Sequence, residues 1–353
     1  MSVSNRYSIK ARPYAAGDAQ LPFWFDGLSY EPHDVAARLR WKYDSNPAPK
    51  SKLLYLHSDT EEQPCGAIGL FARQWSMAGA RYPSAVATDL VISQSHRSLG
   101  PALHLCIDAF GKVQTGEYSM AYGMPNAISA VLKKRLEFQS VQTITRYSRV
   151  LRWRNVIRAR LPAPLAIPVA AVLQQLNDAK DWILGAKSGR RWKGSVWQGR
   201  FDARFDQLWQ RSHESFGLCG VRDQEFLNWR FNDSDSGYKN QVFVVERQQD
   251  AELGGYIVWW QNDDGDVLIK DFLFSPDCGI DGLFQLFVNS MKSAGHERLS
   301  IALNGPADML QKLRRIGFVA REQTEALFCV DQASELASAV NAPLFLTAAD
   351  NDA

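Results

Sequence analysis

Arg97, Gly100 and Ala102 stand in the spacing R-x-x-G-x-A within VISQSHRSLGPALHL, residues 91 to 105. An apolar segment runs into a polar bend, and an apolar run resumes at Ala102. A strand, a polar turn and a helix in that order can aim several backbone N–H groups at one spot beside the positive end of the helix. That is a seat for a pyrophosphate. Gly100 lets the backbone approach closely. Arg97 adds a charged donor, and Pro101 suits a first helical position because it needs no N–H partner. Small Ala102 keeps the first helical turn open, and Val91, Ile92, Ser98 and Leu99 complete the candidate cradle. The same residues also suit a plain surface turn, and the spacing by itself leaves both readings open.

Other chemistry is thinly supplied. Cys65, Cys106, Cys219, Cys278 and Cys329 are scattered and show no CxxC spacing, and the six histidines form no HxxxH or HxH pair. No zinc site is expected, and buried free thiols in a reducing compartment are. Cys106 falls in the helix predicted after the turn and has no evident histidine partner, which argues against an acyl-cysteine.

The turn must be held by a sheet. Strand patterns occupy residues 5–10, 52–57, 66–73 and 82–92, and helical patterns follow at about 101–114 and 127–137. Turn-forming EEQPCG and QWSMAGAR separate them. A mixed α/β sheet covered by helices is expected.

The plan then repeats. LRWKYDSNP near residue 40 matches LNWRFNDSD near residue 228, pairing Leu39 with Leu227, Trp41 with Trp229, Lys42 with Arg230 and Tyr43 with Phe231 at one offset of 188. ATDLVIS matches IKDFLFS, which sets Asp89 opposite Asp271, and AVLKKRLEF matches MLQKLRRIGF. LYLHSDTEEQPCGAIGLFA also faces VFVVERQQDAELGGYIVWW, and four ordered matches point to a diverged tandem duplication. Trp41 and Trp229 read as core anchors. The domain reading is 1–155, an interdomain helix and linker at 156–195, and 196–345. In the connecting region RYSRVLRWRNVIRARLP is basic, and Val169, Val172, Leu173, Leu176 and Ile183 have helical spacing. A helix lying on one domain is expected, with a weak membrane-surface contact as the other reading.

The turn at Arg97 resembles the pyrophosphate loop of the GCN5-related N-acetyltransferases, whose pattern is (Q/R)-x-x-G-x-(G/A). ATDLVISQSHRSLGPALHLCIDAF is similar to that family in its order of central strand, loop and helix. MAYGMPNAISAVLKKRLEF resembles the family's following strand, loop and helix, with Asn126 and Ser129 near the helix start. The closing Glu137-Phe138 replaces a Gly-Phe that the second copy keeps as Gly317-Phe318. The resemblance implies two tandem acyl-CoA N-acyltransferase-like domains and acetyl-CoA or another acyl-CoA as substrate, with no metal. The acyl-CoA would lie in a notch between two splayed parallel strands. It implies direct attack of an amine of a small molecule or peptide on the thioester. A backbone N–H near Val91 or Ile92 would polarise the carbonyl, Tyr122 would be the acid and Asp89 a base. Glu31, His33 or Asp34 would bind the amine in the region that covers the acceptor. For each of these the residue also has an ordinary reading: a packed tyrosine, a strand-holding aspartate, a helix cap at Asp34. The second copy departs, because FLFSPDCGIDGLFQLF has Gly279 and Gly282 but no arginine, and Asp277 and Asp281 put negative charge where a pyrophosphate would sit. That leaves a non-catalytic or regulatory tandem binding protein as the alternative class.

With 353 residues the chain is long enough for two domains. Its net charge of +2 gives no reason to expect a nucleic-acid partner. The N-terminus has no signal-like apolar core, and the most apolar stretch, LPAPLAIPVAAVLQQL, is short and holds three prolines. A cytoplasmic location is expected.

Overall fold

The structure is a computed structural model that describes residues 6–25, 32–125, 135–136, 140–159, 161–188, 191–233 and 239–351. The first repeat runs β1 (Tyr7–Arg12), α1 (Pro32–Tyr43), β2 (Lys52–Ser58), β3 (Gly66–Met77), β4 (Ala80–Ile92), α2 (Leu99–Gln114) and β5 (Met120–Gly123). The connecting region holds β6 (Ser140–Val150), α3 (Trp153–Arg158) and α4 (Ala163–Ser188). The second repeat runs β7 (Trp192–Trp197), α5 (Ala203–Ser212), β8 (Cys219–Gly220), α6 (Gln224–Leu227), β9 (Gln241–Arg247) and β10 (Leu253–Gln261). It ends with β11 (Val267–Phe274), α7 (Gly279–Ser293), β12 (Arg298–Leu303), α8 (Ala307–Ile316), β13 (Val319–Val330) and α9 (Leu336–Ala339). The helix expected at 127–137 lies almost wholly outside the described residues.

All these strands join one mixed sheet in the order β1-β2-β3-β4-β5-β13-β6-β12-β11-β10-β9-β7, with β8 on β3. Helices cover both faces, so the central strands are apolar runs rather than alternating patterns. β3 is buried from Gly66 to Arg73, and β10 from Leu253 to Trp259. On one face α2 turns Leu105, Cys106, Ala109 and Val113 inward. Matching work is done by α7 through Leu283, Phe284, Phe287, Val288 and Met291. Gly317 ends α8 at φ 108°, a left-handed position that favours glycine, and lets Phe318 drop into the core.

The two repeats are not side by side as separate sheets. β13, the last strand of the second repeat, pairs antiparallel with β5 of the first, as Leu327–Val330 against Gly123–Met120. β6, which follows the first repeat, pairs with β12 of the second. β6 and β13 then pair with each other at the centre. β6 takes in RYSRV, read above as part of the basic link: Thr145, Tyr147 and Arg149 of one face are all buried, and Arg146 of the other face is exposed.

The repeats also meet at Trp41 and Trp229. Their rings stack at 4.8 Å and 14°, and each indole N–H donates to the other's backbone carbonyl at 3.0 Å. Both polar tips are thereby satisfied inside an apolar junction. The expected helix in the link is α4, but its stripe faces outward: Val169, Val172, Leu176 and Ile183 are all exposed.

Candidate functional site

β4 and β5 run parallel only over Ser84–Val86 and Met120–Tyr122. β5 ends at Gly123, where an added Cβ would lie 3.2 Å from the Ala87 carbonyl oxygen. β4 continues to Ile92, held on its other side by β3 through Thr88, Val91 and Ile92. Among the described residues no strand pairs with residues 88–92 of β4 on the side where β5 has stopped, and the two strands part there as a wedge.

Within the wedge β4 carries an extra residue. Ala67 to Gly69 of β3 spans the same stretch as Val91 to Thr88. Asp89 sits there at φ 49°, a left-handed conformation that asparagine and aspartate tolerate best among residues with a side chain. Its carboxylate is met by the buried Lys42 ammonium at 3.0 Å to both oxygens and by the Tyr43 hydroxyl at 2.6 Å. Lys42 Nζ also donates to Thr88 Oγ1 at 3.3 Å. A glycine at 69 is required, since a Cβ there would fall 1.6 Å from the Tyr43 hydroxyl oxygen. The end of α1 thus pins the bulge through a buried charge pair.

After Ile92 the chain makes one short turn at Gln94–His96 and enters α2 at Leu99. His96 bridges Tyr7 of β1 at 3.0 Å and Glu61 of the β2–β3 loop at 2.9 Å, which fixes the turn to the sheet. Ser98 precedes the helix in an extended conformation and its side chain makes no capping bond. The first-turn amides of α2 are therefore not met by a side-chain cap, as an anion seat requires. Leu99 and Gly100 are exposed, and no heavy atom lies within 4 Å of an added Gly100 Cβ. Arg97 curls back so that its guanidinium reaches the Ile92 carbonyl at 3.4 Å. The turn and the start of α2 thus follow directly on the wedge end of β4.

The second repeat has the same frame and a different content. β11 and β12 run parallel over Val267–Ile269 and Leu299–Ile301, and the β10–β11 register slips by one residue at Lys270, beside Asp271. Beyond β12, Asn304 exchanges two backbone hydrogen bonds of 3.0 Å with Leu346. Across the opening the Thr347 hydroxyl donates to Asp271 at 2.7 Å. Phe345 packs on Phe216 and Phe272. The C-terminal segment Leu344–Asp350 thus touches both lips of the second opening. Asp277 at the following turn is bonded to Arg191 and Arg247.

Asp350 anchors that segment at the junction of the repeats. It accepts from Arg222 at 2.6 Å and from Arg73 of β3 at 2.9 Å. Burial alone would raise the Asp350 carboxyl, but the two guanidinium groups outweigh it and hold the carboxyl below its usual range. Arg222 also bonds Asp271 at 2.9 Å.

The residues expected from sequence fall into three groups. Val91 and Ile92 end β4, and Arg97, Ser98, Leu99, Gly100, Pro101 and Ala102 form the turn and first helical residues beside the wedge. Asp89 and Tyr122 are present but engaged. Tyr122 is fully buried between Trp75 and Phe328, and its hydroxyl donates to the Asp350 carbonyl at 2.9 Å. Burial, helped by nearby Asp350, pushes its phenol well above the usual value. Glu31, Asn126 and Ser129 lie outside the described residues, as do the side chains of His33 and Asp34. Cys106 is buried in α2 and its thiol is pushed up to about 12 by burial, which keeps it in the inert form. Sequence reasoning missed Lys42 and Tyr43, although both stand in the repeated stretch, and it missed Thr347 and Asp350. Nothing local marks the last two, whose partners lie far away in the chain.

No family model matches the chain, and no curated protein matches it. Solved structures do. A GCN5-related N-acetyltransferase from Anabaena variabilis is similar with a TM-score of 0.63 at 12% identity, over 92% of this chain and 72% of that one. A myristoyl-CoA-bound N-myristoyltransferase from Saccharomyces cerevisiae is similar at 0.53 and 12% identity, over 93% and 80%. A tandem GNAT protein from the clavulanic acid biosynthesis pathway is similar at 0.51 and 12% identity, over 93% and 100%. By its sheet, its wedge and these likenesses, the chain has the fold of the tandem GCN5-related N-acetyltransferases.

Proposed function

We propose that the protein is an acyl-CoA-dependent N-acyltransferase with one working site, in the first repeat. The observation that carries this reading is the continuity of three features: the wedge at residues 88–92, the bulge at Asp89, and the uncapped start of α2 behind Arg97 and Gly100. The pyrophosphate of an acyl-CoA would rest on the α2 amides and Arg97. Its pantetheine arm would extend along β4 and take the place of a pairing strand. A backbone N–H near Val91 or Ile92 would polarise the thioester carbonyl. An amine then attacks, the C–S bond breaks, the amine proton leaves to a base or to water, and the thiolate gains a proton. Asp89 acts in this scheme as a positioning residue: paired with Lys42, it shapes the bulge from which those N–H groups point. Tyr122, the acid candidate of the resemblance, is buried with its proton on the Asp350 carbonyl at 2.9 Å, and would serve only by giving up that bond. The acceptor is a primary amine of a small molecule or peptide, and Glu31 is the proposed contact for it.

A second reading, a non-catalytic acyl-CoA-binding protein, is favoured by one observation. Asp89 and Tyr122 are both bound to partners within the protein. Calorimetry with acetyl-CoA and a thiol-release assay with an amine library test both readings. Binding with turnover supports the first, and binding without turnover on any amine supports the second. A Kd weaker than about 1 mM for acetyl-CoA and for longer acyl-CoAs sinks both. Gly100→Glu should abolish binding, while Gly282→Ala should leave it unchanged.

A further inference from the structure

The polarity of α4 is inverted. Its side toward the protein is polar: Gln174 donates to the Leu151 carbonyl and accepts from the Trp153 N–H, both at 3.2 Å. Asn177 donates to the Val150 carbonyl at 3.5 Å, and Asp181 takes bonds from Arg149, Lys292 and Gln285. Ala166, Ala170 and Leu173 add a small apolar contact, with Trp153 and Ile157 of α3. The other side is apolar and open. Leu165, Ile167, Val172, Leu176 and Ile183 are 56–65% exposed, and Trp182 is 77% exposed. A helix at a protein surface normally turns these faces the other way.

The breadth and charge of this face point to what covers it. At 3.6 residues per turn Leu165, Val169, Val172, Leu176 and Ile183 share a band of about 60°, which Trp182 and Ile167 widen to about 200°, beyond the narrow two-position stripe of a helix–helix seam. Such an arc suits a plane better than a second helix. Residues 161–177 carry no charge at all. Beside them Arg152, Arg154 and Arg158 are exposed on and around α3, and among the described residues neither Arg154 nor Arg158 has a carboxylate within ion-pair distance. Asp178, the exposed carboxylate of α4, is bonded to Lys292 at 2.8 Å. Trp182 adds an aromatic of the type that settles at headgroup level. No described helix is long and apolar enough to cross a membrane, so α4 would lie in the plane.

We propose that α4 docks the protein on an anionic bilayer surface, with its apolar arc in the acyl boundary and Arg154 and Arg158 against the lipid phosphates. This is independent of the acyltransferase reading.

The test is flotation of the full chain with phosphatidylcholine vesicles, with and without about a third of phosphatidylglycerol. The protein should float with the anionic vesicles. The variant L165Q/V172Q/L176Q should lower the bound fraction more than about tenfold with its thermal melt unchanged, since all three residues are exposed. R154Q/R158Q should weaken binding to anionic vesicles and not to neutral ones. Failure to float, or flotation that neither variant alters, overturns the proposal. So does a dimer, seen by sizing with light scattering, that the triple variant dissociates while vesicles remain unbound; the arc is then a contact between two copies of the chain.

Discussion

Asp89 lies within the bulge of β4 and Asp271 borders the bulge of β11, and the two are held by cations from different places. Asp89 is met by Lys42 from the end of α1. Asp271 is met by Arg222, from the loop before α6, and by the Tyr256 hydroxyl at 2.8 Å. The second repeat's counterpart of Lys42 is Arg230. Its guanidinium donates instead to the carbonyls of Ala348 and Asn351, at 3.2 and 2.9 Å. The cation that pins the bulge in the first repeat fastens the C-terminal segment in the second.

Lys42→Met should destabilise the fold by about 3–5 kcal/mol, because it strands the Asp89 carboxylate in a buried site. Urea midpoints at constant slope measure it. Adding Asp89→Asn to the same chain should recover part of the loss. A cost under about 1 kcal/mol for Lys42→Met would show that the pair does not hold the bulge.

Arg97→Ala should weaken acetyl-CoA binding by about tenfold or more, the size expected for a hydrogen bond to a charged group. The remaining affinity should depend less on salt, since one cation facing the pyrophosphate is gone. Calorimetry at two ionic strengths reads both effects. Thermal stability should not change, because Arg97 is exposed.

Asp350 sets an acid limit on stability. Its folded carboxyl titrates below its usual range, so the folded chain binds that proton more weakly than the unfolded chain. The stabilisation is fully present above the unfolded value near ~3.9 and is lost as pH falls through the folded one. Urea midpoints from neutral pH down to about pH 3 should therefore fall in the parent chain and fall less steeply in Asp350→Asn. The variant should also be less stable at neutral pH, because Arg73 and Arg222 lose their shared partner. An unchanged acid slope would rule out Asp350 as its source.

Trp41→Ala and Trp229→Ala should each cost about 3–5 kcal/mol, and the double variant should cost clearly less than the sum. Each substitution removes one ring of a stacked pair and leaves the other indole with a rearranged neighbour. Strict additivity would mean that the two rings act separately.

The frame of both repeats was legible because apolar runs and turn residues are local signals. Trp41 and Trp229 stood at one offset, and the structure stacks them. The helix after the polar bend was legible from about residue 101, with Pro101 at its first position; α2 begins two residues earlier, at Leu99, and Pro101 still falls in the first turn, where it needs no N–H partner. Other features lay beyond any local pattern. RYSRV reads as a basic link, yet it is half of a central strand, because burial there is supplied by β12 and β13 from far along the chain. The stripe on α4 was visible as a period but not as a direction. Hydrophobic spacing says that a face is apolar and does not say which way it points. Thr347 and Asp350 were silent, since their meaning depends on Asp271, Arg222 and Arg73.

The crossing of β6 and β13 also makes the duplication hard to undo. Cut between the repeats, each part would keep a sheet but lose the strand that borders it, and would show a bare hydrogen-bonding edge where its sibling's strand belonged. A second repeat whose opening is bridged by Leu344–Asp350 is therefore not spare material. It lends β13 to the edge of the first, and either copy taken alone would leave that edge bare.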